Sequence, residues 1–360
     1  MNILFITDLY PVKSDEKTTP RTLLAFAEEW GKMGHNVDIL KPNFILNSFL
    51  RGKPFYKSGQ YEDVFNVNYW TPFLGNVKSK LPNLPKYDIV VAHMPSGILF
   101  ADKLGLPFVA GIHNSDIEVL TNPLYKIHFK PRLEKALKNA KAIACRSFVL
   151  QDKLLKLYPE FEEKTFVAPS GINEKLLDET HHSRFTSHHS PIKVITCAHF
   201  KKRKNIDKVI KACKGLEGFE LTVIGDGKER KNLEKIDKNV IFTGRLPHDE
   251  VLAKMRESNV FVLPSVGETF GMVYLEAMSS GCITVCTKGD GIDGIIKNGE
   301  NGFLTEPTVK NIRETLLNIK KLNSESLKTL HINSFNTICE LTSAKCAEHY
   351  LQQILRFCKD

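Results

Sequence analysis

Nowhere does this sequence carry the run of about 18 uncharged apolar residues that a membrane-spanning helix requires. Its opening stretch, Met1 to Thr7, has no basic region and only a short apolar run, which predicts a first β-strand and not a secretion signal. None of its eight cysteines forms a C-x-x-C pair. Several of them (Cys145, Cys197, Cys282, Cys286) sit in apolar runs, so reduced, buried thiols are expected in place of a disulfide framework. There is no Walker phosphate loop, no G-x-S-x-G elbow and no D-x-D metal motif. Zinc-finger spacing, an aromatic RNA-binding signature and a single dense basic helix are all missing, which argues against a nucleic-acid partner.

What is present is ample core material. The 360 residues exceed the usual size of one core, and 42% hydrophobic with 25% charged residues suffices for two. Lys and Arg outnumber Asp and Glu by 50 to 41, a net charge of +9. That balance suits phosphate-bearing substrates and an acidic membrane surface.

Strand-like and helical runs alternate from the start. Asn2–Thr7 reads as a strand, Arg21–Met33 as an amphipathic helix with Thr19 as N-cap and Pro20 at its first position, and Asn36–Leu40 as the next strand. A β-α-β unit of this kind implies a parallel sheet. Residues 41–86 are less regular and mix aromatics with bases, the composition of a membrane-contacting surface or of a core with a basic rim. Strands are then expected at Asp88–Ala92, Pro107–Ile112, Ala142–Ala144 and Thr165–Ala168, with helices near 97–104, 121–139 and 147–157. Two loops end in polar clusters, His93-Met-Pro-Ser and His113-Asn-Ser-Asp116, at the carboxyl ends of strands, where ligands of an open parallel sheet lie. Residues 174–191 lose periodicity and contain His181, His182, His188 and His189, which reads as a linker more readily than as a metal site. The alternation restarts with strands at Ile192–Cys197, Glu220–Ile224, Val240–Thr243, Val260–Leu263 and Ile283–Cys286, a second doubly wound domain. Ser334–Phe357 is a last helical region, broken near Thr342-Ser343.

The most informative stretch is Asn259 to Gly281, NVFVLPSVGETFGMVYLEAMSSG: a buried strand, a glycine-containing loop and a helix. A helix N-terminus after such a loop offers unpaired N–H groups to an anion. Glu268 and Glu276 flank it, although Ser265-Val-Gly-Glu268 also fits a capping box. The cluster Lys201, Lys202, Arg203, Lys204 opens another helix and suits phosphate. Gly225-Asp-Gly227 and Thr243-Gly-Arg245 are turns at strand ends. Gly289-Asp-Gly-Ile-Asp-Gly294 matches G-x-G-x-x-G but falls late in the chain, and reads as a flexible glycine loop, not a dinucleotide site.

The glutamate pair in GETFGMVYLEAMSSG, together with WGKMGHNVDIL, PSGIN, GDG, FTGRL and NGENGFL, resembles the retaining family-4 (group 1) glycosyltransferases over nearly the whole chain. The resemblance implies an α/β GT-B fold, two Rossmann-like doubly wound domains facing across a cleft. It places an acceptor-binding domain at 1–172, a linker at 173–191, a nucleotide-sugar-binding domain at 192–337 and a C-terminal helix at 338–360 that packs back on the first domain. It implies transfer of a hexose or N-acetylhexosamine from a nucleotide diphosphate sugar, UDP more readily than GDP, to a glycan or lipid-linked acceptor in bacterial surface polysaccharide synthesis (lipopolysaccharide or capsule). Neither metal nor cofactor is expected. A cytoplasmic protein docking on the inner face of the plasma membrane fits the charge. An epimerase of the same fold and a non-catalytic nucleotide-sugar-binding protein are the alternatives.

By the same resemblance, His113, Glu268 and Lys204 are the catalytic candidates. Glu268 would meet donor-sugar hydroxyls, Glu276 the ribose, Arg203 and Lys204 the diphosphate, and Arg245 with Leu246 the nucleobase. Gly225 and residues Thr269, Phe270, Gly271 and Met272 would line the donor. His199 stands where the family has an Arg, and Asp293-Gly294 where it has Pro-Glu. Thr18 and Thr19, in place of the family's paired glycines, would face the acceptor with Arg21 and Asp116.

Overall fold

The computed structural model describes residues 1–13, 23–44, 56–62, 64–69, 86–177 and 191–358. The chain divides into two compact units, one of Met1–Arg146, Leu150–Ser170 and Ser343–Asp360, the other of Ser147–Val149 and Gly171–Thr342.

The first unit is built on an eight-stranded sheet in the order β3-β4-β2-β1-β5-β6-β7-β8. Its strands are β1 (Asn2–Ile6), β2 (Asn36–Phe44), β3 (Gly59–Tyr61), β4 (Val64–Tyr69), β5 (Ile89–His93), β6 (Val109–Ile112), β7 (Ala142–Cys145) and β8 (Thr165–Val167). All neighbours are parallel except the edge hairpin β3–β4. Side chains alternate across the sheet with period two. Leu4 and Ile6 of β1 join one core with Phe100, Phe108, Leu133 and Leu137. Phe5 turns the other way, onto Trp30 at 5.8 Å between ring centroids. The C-terminal helix Ser343–Cys358 covers that side with helix Leu24–Lys32. Trp30 Nε1 donates to the Ala347 carbonyl at 2.9 Å, and the Tyr350 ring lies 5.5 Å from Trp30 and 5.3 Å from Phe26.

The second unit holds six parallel strands in the order β11-β10-β9-β12-β13-β14. They are β9 (Ile192–Cys197), β10 (Phe219–Ile224), β11 (Ile241–Gly244), β12 (Val260–Leu263), β13 (Ile283–Thr287) and β14 (Phe303–Thr305). Ile192, Val194, Val260, Val262, Ile283 and Val285 pack one face against helices Ile206–Cys213 and Val309–Lys320. Phe261 turns to the other face, edge-on to Tyr274 at 5.9 Å.

Four expectations from the sequence need correction. The polar cluster after His113 is not loop: a helix runs Asn114–Thr121, its first turn tied by the His113 N–H donating to Asp116 Oδ2 at 2.8 Å. The single helix expected over 121–139 is broken, because the Asn122 side chain accepts from the Leu124 N–H and Pro123 opens a short 3₁₀ turn, so the next helix starts at Lys130 with Pro131 in its first turn. The irregular region holds the β3–β4 hairpin, while much of it, including 45–55 and 70–85, lies outside the described residues. The last helical region breaks where expected, between helices Ser324–Cys339 and Ser343–Cys358, but the first of them begins ten residues before Ser334, with Asn323 as its side-chain cap.

Trp30, fully buried, is the hub of the aromatic cluster that holds the last helix. Trp30→Ala is expected to cost about 3–5 kcal/mol in urea unfolding followed by circular dichroism. Trp30→Phe, which keeps most of the packing and loses the bond to Ala347, costs about 1 kcal/mol from that bond.

Candidate active site

Because all six strands of the second unit are parallel, the loops after Cys197, Ile224, Gly244, Leu263 and Thr287 share one edge. The first strand, β9, lies between β10 and β12, so successive connections diverge at the β9/β12 junction. That is the topological switch point, where open sheets leave a crevice.

The two loops flanking the junction are stitched together. Asn205 adopts a left-handed backbone (φ 52°) and its side chain donates to the Pro264 carbonyl at 2.7 Å. The Val266 N–H donates to the Arg203 carbonyl at 2.8 Å. Between them, Glu268 Oε1 accepts from Lys204 Nζ at 2.5 Å, Arg203 Nη1 at 2.8 Å and the Ser265 hydroxyl at 2.5 Å. Lys204 and Glu268 are mostly covered, at 14% and 13% side-chain exposure, while Arg203 is the outer cation at 45%. Burial pushes the Glu268 carboxyl up, but Lys204, Ser265 and Arg203 overturn that and hold it below the usual glutamate value.

The capping-box reading of Ser265–Glu268 is wrong. The helix begins only at Met272, and the N–H groups of Gly267 and Glu268 donate to Asp290, at 2.6 and 2.7 Å. Asp290 belongs to the Gly289–Gly294 segment, which is therefore no loose glycine loop. Asp290 and Ile292 are buried, and a Cβ on Gly291 would meet the Phe270 carbonyl oxygen at 2.9 Å. Sequence reasoning missed Asp290; its one signal was an acid inside a glycine motif that follows a buried strand.

Gly271 (φ 98°) is the N-cap of helix Met272–Ser279, and a Cβ there would strike the Tyr274 ring at 2.5 Å. Tyr274 ties this helix start back to β12, its hydroxyl donating to the Leu263 carbonyl at 2.8 Å. Phe270 is buried under the turn, and Thr269 and Met272 are half-buried beside it. One turn on, Glu276 Oε1 lies 3.2 Å from His248 Nε2, a partner the sequence did not suggest. Arg245 is exposed and Leu246 half-buried just before that histidine. Gly225 packs where no side chain fits: its Cβ would lie 1.9 Å from the Ala198 carbonyl oxygen. His199 is exposed and borders Gly227 of the same turn. Beneath, burial and the charge of Glu276 push the Cys197 thiol up to about 12 against the pull of Lys204, so both charged residues act on this strand end.

In the first unit, His113 follows β6 and is only 7% exposed. Its Nε2 lies 3.0 Å from His93 Nδ1, and His93 Nε2 lies 3.0 Å from the Tyr350 hydroxyl. Burial first, then the cationic Arg146, lowers the His113 imidazole to about 3, and burial lowers His93 as well. Burial also raises the Asp116 carboxyl. Arg146 is itself buried over the Phe26 ring at 4.6 Å and donates to the Ala168 carbonyl and the Ser170 hydroxyl. Thr18, Thr19 and Arg21 lie outside the described residues, as do the four linker histidines. Among the described residues no cluster of His, Cys, Asp and Glu is arranged to hold a metal ion, no helix is long and apolar enough to cross a membrane, and the eight cysteines are free.

Two family models match in succession. Residues 19–176 fit the description "Glycosyltransferase Family 4" and residues 178–334 the description "Glycosyl transferases group 1", most of the chain between them. The chain belongs to the group 1 glycosyltransferases. Among its relatives, an uncharacterized glycosyltransferase of Methanocaldococcus jannaschii is 29% identical over 257 residues, 69% of this chain and 68% of that one. The lipopolysaccharide core biosynthesis glycosyltransferase LpsE of Rhizobium meliloti is 32% identical over 117 residues, 31% of this chain and 34% of its own. Among solved structures, HepE of Anabaena in complex with UDP superposes with a TM-score of 0.73 at 16% identity, covering 99% of this chain and 100% of that one. This glycosyltransferase has the GT-B class of fold, each sheet of the Rossmann-like type.

Asp290→Ala leaves two backbone N–H groups of the Glu268 loop without their acceptor. This is expected to destabilise the second unit by about 1–3 kcal/mol, read as a lowered urea midpoint. His93 and His113 are held neutral when folded and take up protons near pH 6.5 when unfolded, so stability falls as pH drops below about 6.5, for His113 down to its lowered value of about 3. In stability measured from pH 7 down to 4, His113→Asn is expected to lose less than the native protein.

Proposed function

We propose that this glycosyltransferase moves a hexose or N-acetylhexosamine from a nucleotide diphosphate sugar to a glycan or lipid-linked acceptor, with retention at the anomeric carbon. The observation that carries the reading is the meeting of Arg203 and Lys204 with Glu268 at the β9/β12 junction, beside the N-terminus of helix Met272–Ser279. Two cations and a helix N-terminus suit a diphosphate, and carboxylates suit hydroxyls. A donor diphosphate competes with Glu268 for the two cations. Once it takes them, Glu268 is released to accept from sugar hydroxyls, so donor binding itself arms the carboxylate. Glu276 takes the ribose hydroxyls in place of His248, with Arg245 and Leu246 beside the base.

Catalysis on this reading is positioning and stabilisation of the departing diphosphate by Lys204 and Arg203, without metal at the phosphates and without a covalent protein intermediate. His113 serves as a neutral partner near the transferring sugar, with Asp116 behind it and Thr18, Thr19 and Arg21 toward the acceptor. His199, with Arg203, stands in for the family's arginine. Support for uridine as the base is the HepE structures, which carry UDP, UDP with glucose and UDP-glucose. A role in surface polysaccharide synthesis is supported by relatives such as LpsE, named for lipopolysaccharide core biosynthesis, and a cytoplasmic location is proposed along with it.

Nucleotide sugars screened by thermal shift test the reading. At a hundredfold excess over Kd a bound UDP-sugar adds about 2.7 kcal/mol, visible as a clear rise in Tm. Glu276→Ala should abolish that rise, and Lys204→Ala should lower kcat roughly a hundredfold or more. If no nucleotide sugar raises the Tm of the native protein, the donor site is misread; if Glu276→Ala responds as the native protein does, the ribose assignment is wrong.

A further inference from the structure

The turn from Asn122 to Phe129 in the first unit holds two aliphatic side chains out in water. Leu124 is 88% exposed and Ile127 80%, the most exposed large hydrophobics among the described residues. The turn is not loose. Asn122 Oδ1 accepts from the Leu124 N–H at 3.0 Å, and the Phe129 N–H donates to the Tyr125 carbonyl at 3.1 Å. Tyr125 and Phe129 pack inward against the core, edge to face at 5.8 Å. With those two rings turned in, Leu124 and Ile127 are turned out, and exposed Lys126 stands between them. The surrounding chain is basic: residues 122–141 contain Lys126, Lys130, Arg132, Lys135, Lys138 and Lys141 against Glu134 alone, six positive charges to one negative. Glu134 is already engaged, accepting from the Tyr158 hydroxyl at 2.6 Å with Lys130 at 3.9 Å.

We infer that this turn inserts Leu124 and Ile127 into the headgroup region of an anionic lipid bilayer, with the bases of residues 122–141 against lipid phosphates. Two projecting aliphatics fall far short of the roughly 800 Å² per partner of a stable protein interface. Shallow insertion beside a basic collar needs no more than that, since apolar burial and attraction to anionic lipid add. The site differs from the aromatic and basic region 41–86, whose composition fits a membrane-contacting surface or a core with a basic rim. It goes beyond the transfer reading and does not depend on it.

The test is flotation of the full chain with phosphatidylglycerol-containing vesicles and with pure phosphatidylcholine vesicles, at low and high salt. The native protein is expected to float with the anionic vesicles at low salt, to be released by high salt and to ignore phosphatidylcholine. The double variant Leu124→Ser/Ile127→Ser, at exposed positions and so expected to keep the native Tm, should partition roughly tenfold less or worse. Lys126→Glu/Lys130→Glu/Arg132→Glu should lose the preference for anionic lipid. Native protein that stays unbound with anionic vesicles overturns the proposal, as does a double variant that floats like the native chain. Self-association abolished by the double variant, with no vesicle binding, overturns it in favour of a second copy as the occupant. The nucleotide-sugar thermal shift, run in parallel, reports on the donor site alone.

Discussion

One carboxylate oxygen, Glu268 Oε1, receives hydrogen bonds from Lys204, Arg203 and Ser265, and the loops of the second unit are arranged around that contact. A mostly covered carboxylate is tolerated only when paired and hydrogen-bonded. Here the two cationic partners come from a separate loop more than sixty residues earlier, so pairing and loop positioning are the same problem. Asn205, Asp290 and Tyr274 are its solution: each binds backbone groups of the 263–268 segment from a different side. Two positive charges against one negative leave the cluster with positive charge to spare, which an arriving anion can use.

The first unit handles buried polarity in the opposite way. His93 and His113 share a hydrogen bond as neutral rings, with Tyr350 closing the chain at one end. Arg146, the buried cation nearby, spends its guanidinium on the Ala168 carbonyl and the Ser170 hydroxyl and stacks on Phe26. Burial first, and then the positive potential of Arg146, keeps both imidazoles neutral. The two sheet edges therefore present contrasting chemistry, a partly exposed ion cluster in one and packed neutral imidazoles beside a buried cation in the other.

Much of this was legible in the chain. Ile192–Cys197 and Val260–Leu263 are found at the residues where β-branched runs put them, because strands in the middle of a parallel sheet are rich in buried apolar residues, Val260–Leu263 throughout and Ile192–Cys197 with Lys193 exposed. The strand-loop-helix of Asn259–Gly281 was readable because Pro264, Gly267, Gly271 and Gly281 punctuate it. Other features rest on contacts that local pattern does not encode. Ser265 and Glu268 have the spacing of a cap, yet Asp290 claims the backbone N–H groups first, a choice made by tertiary structure 22 residues away. His248 carries no signal in the sequence, and its contact with Glu276 arises only when two neighbouring helices align. Asn114–Thr121 was lost because Asn, Ser and Asp at its start read as turn residues when they are its first turn.

The placement of helix Ser343–Cys358 also governs the order in which the protein can be made. Trp30 and Ala347 are 317 positions apart, so the first unit begins to emerge from the ribosome earliest and is finished last. Between those moments the second unit is synthesised whole and, with every strand supplied by contiguous chain from β9 onward, can fold on its own schedule. Until the final helix arrives, Phe26 and Trp30 lack their cover and present apolar surface to the cell. Nascent or truncated chains are thus marked by one sticky aromatic face, a natural handle for chaperones and for proteolytic quality control.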